Sequence, residues 1–286
     1  MANVRDIRRR IRSAKNIQQI TRAMKFVSAA RLRKAQERVI AARPYAQQML
    51  SVLNSLATRV PERSHPLLAR RDGHRIELVV ITADKGLCGA YNTNVIRHAL
   101  EFIAEHADAP VDLNILGRRG RDFFRRRSYS VRQEAINVLQ KPSFADAVAI
   151  ARDIIEEFVQ EKKDLVWLLY NEFKSVVQQR VIVEPLLPIK KLAGMEEAHL
   201  IEYLYDEPAE KIFNNLLPRH VESQVFRALL EAAASEQGAR MTAMDAATKN
   251  ATEMIDSLTL YANKVRQAGI TKELIEVVSG AAAAGT

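Results

Sequence analysis

Apolar positions near the start of the chain recur at steps of three or four: Val4, Ile7, Ile11, Ala14, Ile17, Ile20, Met24 and Val27. This is a nearly heptad stripe with a slip around Ile17, the mark of a helix that packs along a narrow seam. The first proline is Pro44 and the first glycine Gly73, so residues 2–43 hold neither of the strong helix breakers. Forty-two helical residues would span about 63 Å at 1.5 Å each, too long for a domain of this size to cover. Such a helix needs a partner helix.

The other end of the chain offers one. Val221, Val225, Leu229, Ala232, Ala239, Ala243, Ala246, Met254, Leu258, Val265 and Leu274 trace a second stripe, and no proline follows Arg219. Nine alanines fall between Ala228 and Ala251, and small side chains at a seam let two backbones approach closely. The termini therefore predict an antiparallel coiled coil, with residues 1–58 and 209–286 as its helices. Between them the period changes to that of strands at Ile76–Thr82, Val111–Leu116, Asp164–Tyr170 and Val176–Val183. Helical patterns follow at Asn94–His106 and Phe144–Lys162, the latter opened by a Ser143 and Asp146 capping box. Alternating strand and helix predict a parallel-rich α/β domain over residues 70–205. Arg59–Arg75 reads as its entry linker, and Pro185, Pro188 and Gly194 mark its exit.

Composition narrows the function. The chain has 286 residues and a net charge of +9, with 48% hydrophobic and 6% aromatic residues. Residues 1–43 carry thirteen cations and two acids, a net +11, and the other 243 residues sum to −2. A basic segment of this kind faces an acidic partner or open solvent. Nucleic acid is an alternative partner, and a basic coiled-coil nucleic-acid-binding protein an alternative function. Against it, the cations share one helix with the apolar stripe, whereas in basic-zipper proteins the two lie in succession. No stretch approaches the roughly 18 apolar residues of a membrane-spanning helix.

Little in the chain suggests catalysis. Cys88 is the only cysteine, which excludes an internal disulfide, and no base motif surrounds it, so it reads as a small buried residue. His65, His74, His98, His106, His199 and His220 show no ligand spacing, so no metal site is expected. Glu156 and Glu157 are adjacent on a helix and diverge. The segment Ala83–Asn92 sits between a strand and a helix, where a phosphate loop would lie. However, Gly86 and Gly89 meet neither nucleotide fingerprint, so it reads as a structural turn. A small α/β nucleotide-binding enzyme is the further alternative. The C-terminal Leu274–Gly280 followed by alanines is apolar on too many sides for solvent, which suggests a tip enclosed by other chains.

Four stretches resemble the gamma subunits of bacterial F-type ATP synthases, in the same order and over nearly the whole chain. They are Ile20–Lys25 with Ala29–Gln36, Asp84–Gly89, Ser235–Gln237 with Ala239–Met241, and Ile270–Leu274 with Val278–Ala281. The resemblance implies a coiled-coil shaft and a central Rossmann-like α/β domain, or foot, without a working nucleotide site. It implies a rotor inside a hexamer of alpha and beta subunits, which bind the Mg-ATP and ADP. Its foot would meet the epsilon subunit and the membrane c-ring, at the cytoplasmic face of the bacterial inner membrane. It further implies that Met24, Lys25, Arg240, Gln267, Thr271 and Glu273 contact beta, and that Tyr203, Tyr205, Asp206 and Glu207 lie in the foot. No cofactor, catalytic residue or metal is implied for this chain. Ala90 stands where many relatives have glycine, and the cysteine pair inserted in plant plastid forms is absent.

Overall fold

The computed structural model describes residues 4–57, 65–176, 178–189 and 207–284. Two compact units emerge, one of Met1–Val27 with Met241–Thr286 and one of Ser28–Arg240. Helix α1 spans Val4–Ala57 and α5 spans Ala209–Ala284, each continuous through one internal proline, Pro44 and Pro218 respectively.

In the second unit a five-stranded sheet is ordered β3-β2-β1-β4-β5. Strands β1 (Ile76–Ile81), β2 (Val111–Leu116), β3 (Val131–Ala135) and β4 (Leu165–Phe173) run parallel, and β5 (Gln179–Leu187) closes one edge antiparallel to β4. Helices α2 (Tyr91–Glu105), α3 (Arg118–Arg125) and α4 (Phe144–Val159) complete a Rossmann-like three-layer arrangement.

Because successive strand residues point to opposite faces, β1 feeds two cores. Val79 and Ile81 join Leu168, Tyr170 and α4 residues Ile150, Ile154 and Phe158, together with Leu53 and Leu56 of α1 and Val221, Val225 and Leu229 of α5. Leu78 and Val80 pack on the other side with Leu113, Ile115, Val95, Phe102 and Phe124. A fully buried leucine or valine contributes about 1.5–3 kcal/mol, so either face supplies ample stabilisation. One carboxylate interrupts β1. Glu77 is fully buried and its Oε1 lies 2.5 Å from Arg132 Nη2, which also pairs with Asp153, while Asn114 donates to the same oxygen at 3.0 Å. Burial holds the Glu77 carboxyl above its ordinary range although Arg132 and Asn114 pull it down.

The elements correct several boundaries. The capping box forms, Ser143 Oγ accepting from Asp146 N–H and Asp146 accepting from Ser143 N–H, but α4 stops at Val159 rather than Lys162. Helix α2 begins at Tyr91 rather than Asn94, because the turn before it already places Tyr91 in the core. The last strand runs Gln179–Leu187 rather than Val176–Val183, so Pro185 belongs to it. An edge strand tolerates the missing N–H. Helix α3 and strand β3 were not legible in the pattern, since α3 is short and arginine-rich and every residue of β3 is only partly buried.

Candidate functional site

Two regions hold chemistry, one in each unit. In an open α/β sheet a ligand sits beyond the carboxyl ends of the strands, where the order reverses, here between β1 and β4. In this chain α5 fills that crevice. Tyr91 hydroxyl donates to Ala232 O at 3.1 Å, Ser235 Oγ to Asn171 O at 3.0 Å, and the Phe173 N–H to Glu231 Oε2 at 2.9 Å. Ala239 packs on Cys88 and Tyr91, and a side chain at Gly238 would come within 3.3 Å of the Phe173 ring. Several of the alanines expected at a helix–helix seam, Ala228, Ala232 and Ala233, thus lie in the core cluster shared with the sheet.

The loop after β1 is a structural hub, as its failed phosphate fingerprints suggest. Asp84 Oδ1 accepts from the N–H groups of Arg118 and Asn137 at 3.1 and 2.9 Å, and Asn92 Oδ1 accepts from Ala83 N–H at 2.9 Å. Gly89 has φ +57, a left-handed conformation that glycine adopts without strain, whereas Ala90 at φ −85 does not require glycine. Cys88 is buried, and burial pushes its thiol up, away from the thiolate a nucleophile needs. Among the described residues no cluster of His, Cys, Asp or Glu could hold a metal ion.

Arg240 sits at the same crevice. Its Nη2 is 2.6 Å from Glu236 Oε1, both side chains are only 8% exposed, and the guanidinium reaches Gly86 O at 3.4 Å. Burial raises the Glu236 carboxyl, and Arg240 opposes that rise.

In the first unit α1 and α5 run antiparallel, and their seam is polar at its centre. Gln18 Nε2 donates to Thr252 Oγ1 at 2.7 Å, Thr248 and Thr21 hydroxyls lie 2.8 Å apart, and Lys25 Nζ is 2.6 Å from Asp245 Oδ1. The α1 seam thus follows Ile7, Ile11, Ala14, Gln18, Thr21 and Lys25 with an unbroken alternation of four and three. The expected slip does not occur. Ile17, Ile20 and Val27 instead face outward, as do Ala246 and Met254 on α5, where the seam passes through Met244, Thr248, Ala251, Ile255, Leu258, Ala262 and Val265. Apolar periodicity missed Gln18, Thr21, Asp245, Thr248 and Thr252; strict heptad counting from Ile7 would have placed the first two.

Of the candidate contact residues, Met24 and Lys25 are half-buried at this seam, and Gln267, Thr271 and Glu273 are exposed. Thr271 Oγ1 donates to Gln267 O one turn back at 3.0 Å. Every side chain from Arg266 to Ser279 is exposed, with Ile270, Leu274, Ile275, Val277 and Val278 among them. Glu207 is exposed and pairs with Lys211 at 2.9 Å, whereas Tyr203, Tyr205 and Asp206 lie outside the described residues. The structure therefore places the six shaft candidates in three settings: the crevice, the seam and the exposed end of α5.

An antiparallel helix pair in one unit and a Rossmann-like domain in the other, its ligand crevice filled by its own helix, define the class of fold. Comparison with known proteins narrows the class. Residues 3–284 match the ATP synthase family. The chain is 54% identical to the ATP synthase gamma chain of Solibacter usitatus, over 99% of this chain and 100% of that one, and 50% identical to that of Desulfitobacterium hafniense, over 99% of each. A chain from the central stalk and c-ring structure of Tetrahymena thermophila mitochondrial ATP synthase is similar, with a TM-score of 0.61, 27% identity, and coverage of 80% of this chain and 99% of that one. A chain of the Euglena gracilis mitochondrial enzyme shares the fold, with a TM-score of 0.69 at 22% identity over 98% and 94% of the two chains. The chain belongs to the ATP synthase gamma chain family. The nucleic-acid reading finds no support among these relatives.

Proposed function

We propose that this chain is the central-stalk rotor of a proton-driven ATP synthase, turning inside a hexamer of alpha and beta subunits and coupling proton flow through a membrane c-ring to ATP synthesis or hydrolysis. The observation that carries the reading is the exposed end of α5. Five large apolar side chains between Ile270 and Val278 are spread more widely than one helix seam, and each is at least half exposed in the isolated chain. An exposed apolar surface of this kind marks a site where other chains dock.

In this reading the chain has no catalytic site of its own and binds no cofactor; the nucleotides sit on alpha and beta. The filled β1–β4 crevice and the raised Cys88 thiol support it. Among the described residues no helix is long and apolar enough to cross a membrane, in keeping with a peripheral position on the cytoplasmic face of a bacterial inner membrane. Gln267, Thr271 and Glu273 would meet beta from the exposed end of α5, and Met24 and Lys25 from the seam. Arg240 would do so from the crevice, where Glu236 holds it in the isolated chain. Tyr203, Tyr205, Asp206 and Glu207 would form the foot toward epsilon and the c-ring. An asymmetric shaft can give each of three beta sites different contacts, and only such differential contacts shift their conformations.

The test is co-purification of the tagged chain from cells under nuclease treatment, followed by native mass measurement and an ATP hydrolysis assay. A complex with alpha and beta in a three-to-three-to-one ratio, hydrolysing ATP that the chain alone does not, supports the reading. Recovery of the free chain or a homodimer contradicts it.

A further inference from the structure

Residues three and four apart share one face of a helix, so Val39, Ala42, Arg43 and Ala46 form a patch on α1 and Ser223, Phe226, Arg227 and Leu230 a patch on α5. Between the two patches, all within the second unit, lies a recess of about 550 Å³ that Phe144 of α4 also borders. The local sequence opens it. Ala42 and Ala46 each contribute only a methyl group, and Pro44 between them cannot donate to the Ile40 carbonyl and crowds the preceding turn. Further along the same helices Leu53, Leu56, Val221 and Val225 are buried in the core. Native interiors are close-packed, so a recess left open by alanines sets this stretch apart from the rest of the helix pair.

Its walls are mostly apolar with a few polar groups, and both that composition and the volume are those of a small-molecule site. Phe144 and Phe226 meet edge to face with ring centroids 5.5 Å apart, and Tyr45 at the rim is 52% exposed. Three charged side chains line the recess: Arg43, Arg227 and Glu231. Glu231 is buried and its Oε2 accepts from the Phe173 N–H at 2.9 Å. Arg227 gives Nη2 to Glu184 at 2.5 Å and Nε to Gln224 at 3.0 Å. Arg43 is exposed and enters no ion pair among the described residues. The lining carboxylate thus has a backbone donor and a neighbouring arginine, and Arg43 is the charge left without a counterpart.

We propose that this recess binds a small organic anion with a flat apolar body and a single carboxylate or sulfonate group. The body lies between Ala42 and Ala46 on one side and Phe226 and Leu230 on the other, and the anionic group takes the Arg43 guanidinium in a charge-assisted hydrogen bond. A nucleotide fits less well, because several phosphate charges would meet one free cation with Glu231 also on the lining. The proposal stands on second-unit residues alone and does not depend on the rotor reading.

The test is fluorescence titration of the full chain with anilinonaphthalene sulfonate, followed by displacement with naphthoate and with its neutral counterpart naphthamide. The exposed end of α5 also offers apolar surface to the dye, so L274S/V278S serves as the comparison. The proposal expects dye affinity to fall at least fivefold in Ala42→Phe, which fills the recess, and in Arg43→Glu, with unchanged melting temperatures. It expects Arg43→Lys and L274S/V278S to stay within twofold of wild type, and naphthoate to displace the dye at least fivefold more readily than naphthamide. Should Ala42→Phe fold poorly, Arg43→Glu, altered at an exposed position, carries the comparison. Unchanged affinity in Arg43→Glu, a loss confined to L274S/V278S, equal displacement by the two naphthalene compounds, or displacement by an amphipathic helical peptide and by neither of them would overturn it.

Discussion

Lys25 Nζ and Asp245 Oδ1 stand 2.6 Å apart across the antiparallel helices of the first unit, at a seam position where a coiled coil ordinarily places an apolar residue. Together with the Thr21–Thr248 and Gln18–Thr252 contacts one and two turns away, this pair replaces apolar packing with a ladder of polar links. Polar seam residues fix register and orientation at a cost in stability. A seam of this kind suits a helix pair that must keep its register under load.

Replacing both threonines, T21V/T248V, removes donor and acceptor together and leaves no buried group unpaired. The expected change in stability is below about 1 kcal/mol, or a gain. Single T248V leaves Thr21 still donating to Gln18 O at 3.1 Å and is equally mild. Thermal melting followed by hydrogen exchange of residues 4–27 and 241–265 checks this; a loss above 2 kcal/mol in the double variant would count against it.

Gly117 has φ +111, and a side chain there would meet Thr82 O at 1.9 Å. Gly117→Ala therefore combines backbone strain with a clash against main chain that cannot swing aside, and should cost about 3 kcal/mol or more. Gly269, with nothing within 4 Å of the added atom, should accept alanine and gain a few tenths of a kcal/mol from helix propensity. Urea unfolding of the two variants separates these expectations.

His220 is buried, and desolvation followed by the nearby Arg227 lowers its pKa from 6.5 to about 4. Above pH 6.5 the imidazole is neutral in both folded and unfolded chains and costs nothing. Between pH 6.5 and 4 the unfolded chain binds the proton and the folded chain does not, so stability falls as pH drops, by about 3 kcal/mol in all. Glu77 and Glu236, raised by burial, act in the opposite direction. The comparison of wild type with H220Q isolates the histidine: their difference in urea midpoint should shift in favour of H220Q from pH 7 to pH 4.5. A constant difference would contradict the burial assignment.

Removing residues 267–286 takes away side chains that, from Gln267 to Ser279, are all exposed in the isolated chain. Its melting temperature should stay within about 2 °C of wild type, because a frayed helix end contributes little to the cooperative unit. Assembly with alpha and beta should weaken markedly, and Glu273→Arg should slow ATP turnover of the complex. Wild-type turnover in Glu273→Arg would remove that residue from the contact surface.

Much of the architecture was legible because two periods of hydrophobicity alternate cleanly. Ile76–Thr82 reads as a buried strand and Phe144–Lys162 as a capped helix; the strand forms over Ile76–Ile81 and the capped helix over Phe144–Val159. The seam was misplaced for a physical reason. Ile17, Ile20 and Val27 are apolar but exposed, so hydrophobicity there does not report the internal contact. Arg240 was legible only as a family position; its ion pair with Glu236 one turn earlier needed the crevice geometry to be recognised. Helix α3 escaped notice because its arginines hide the buried Phe124 that anchors it.

The central claim is rotation, and it can be watched. Cys88 is buried, so a cysteine introduced at exposed Asp108 carries a single visible probe. With the chain assembled with alpha and beta and the hexamer fixed to a surface, the account predicts ATP-dependent turning in one direction, in steps of a third of a revolution. A probe that stays still while the same complexes hydrolyse ATP would contradict it.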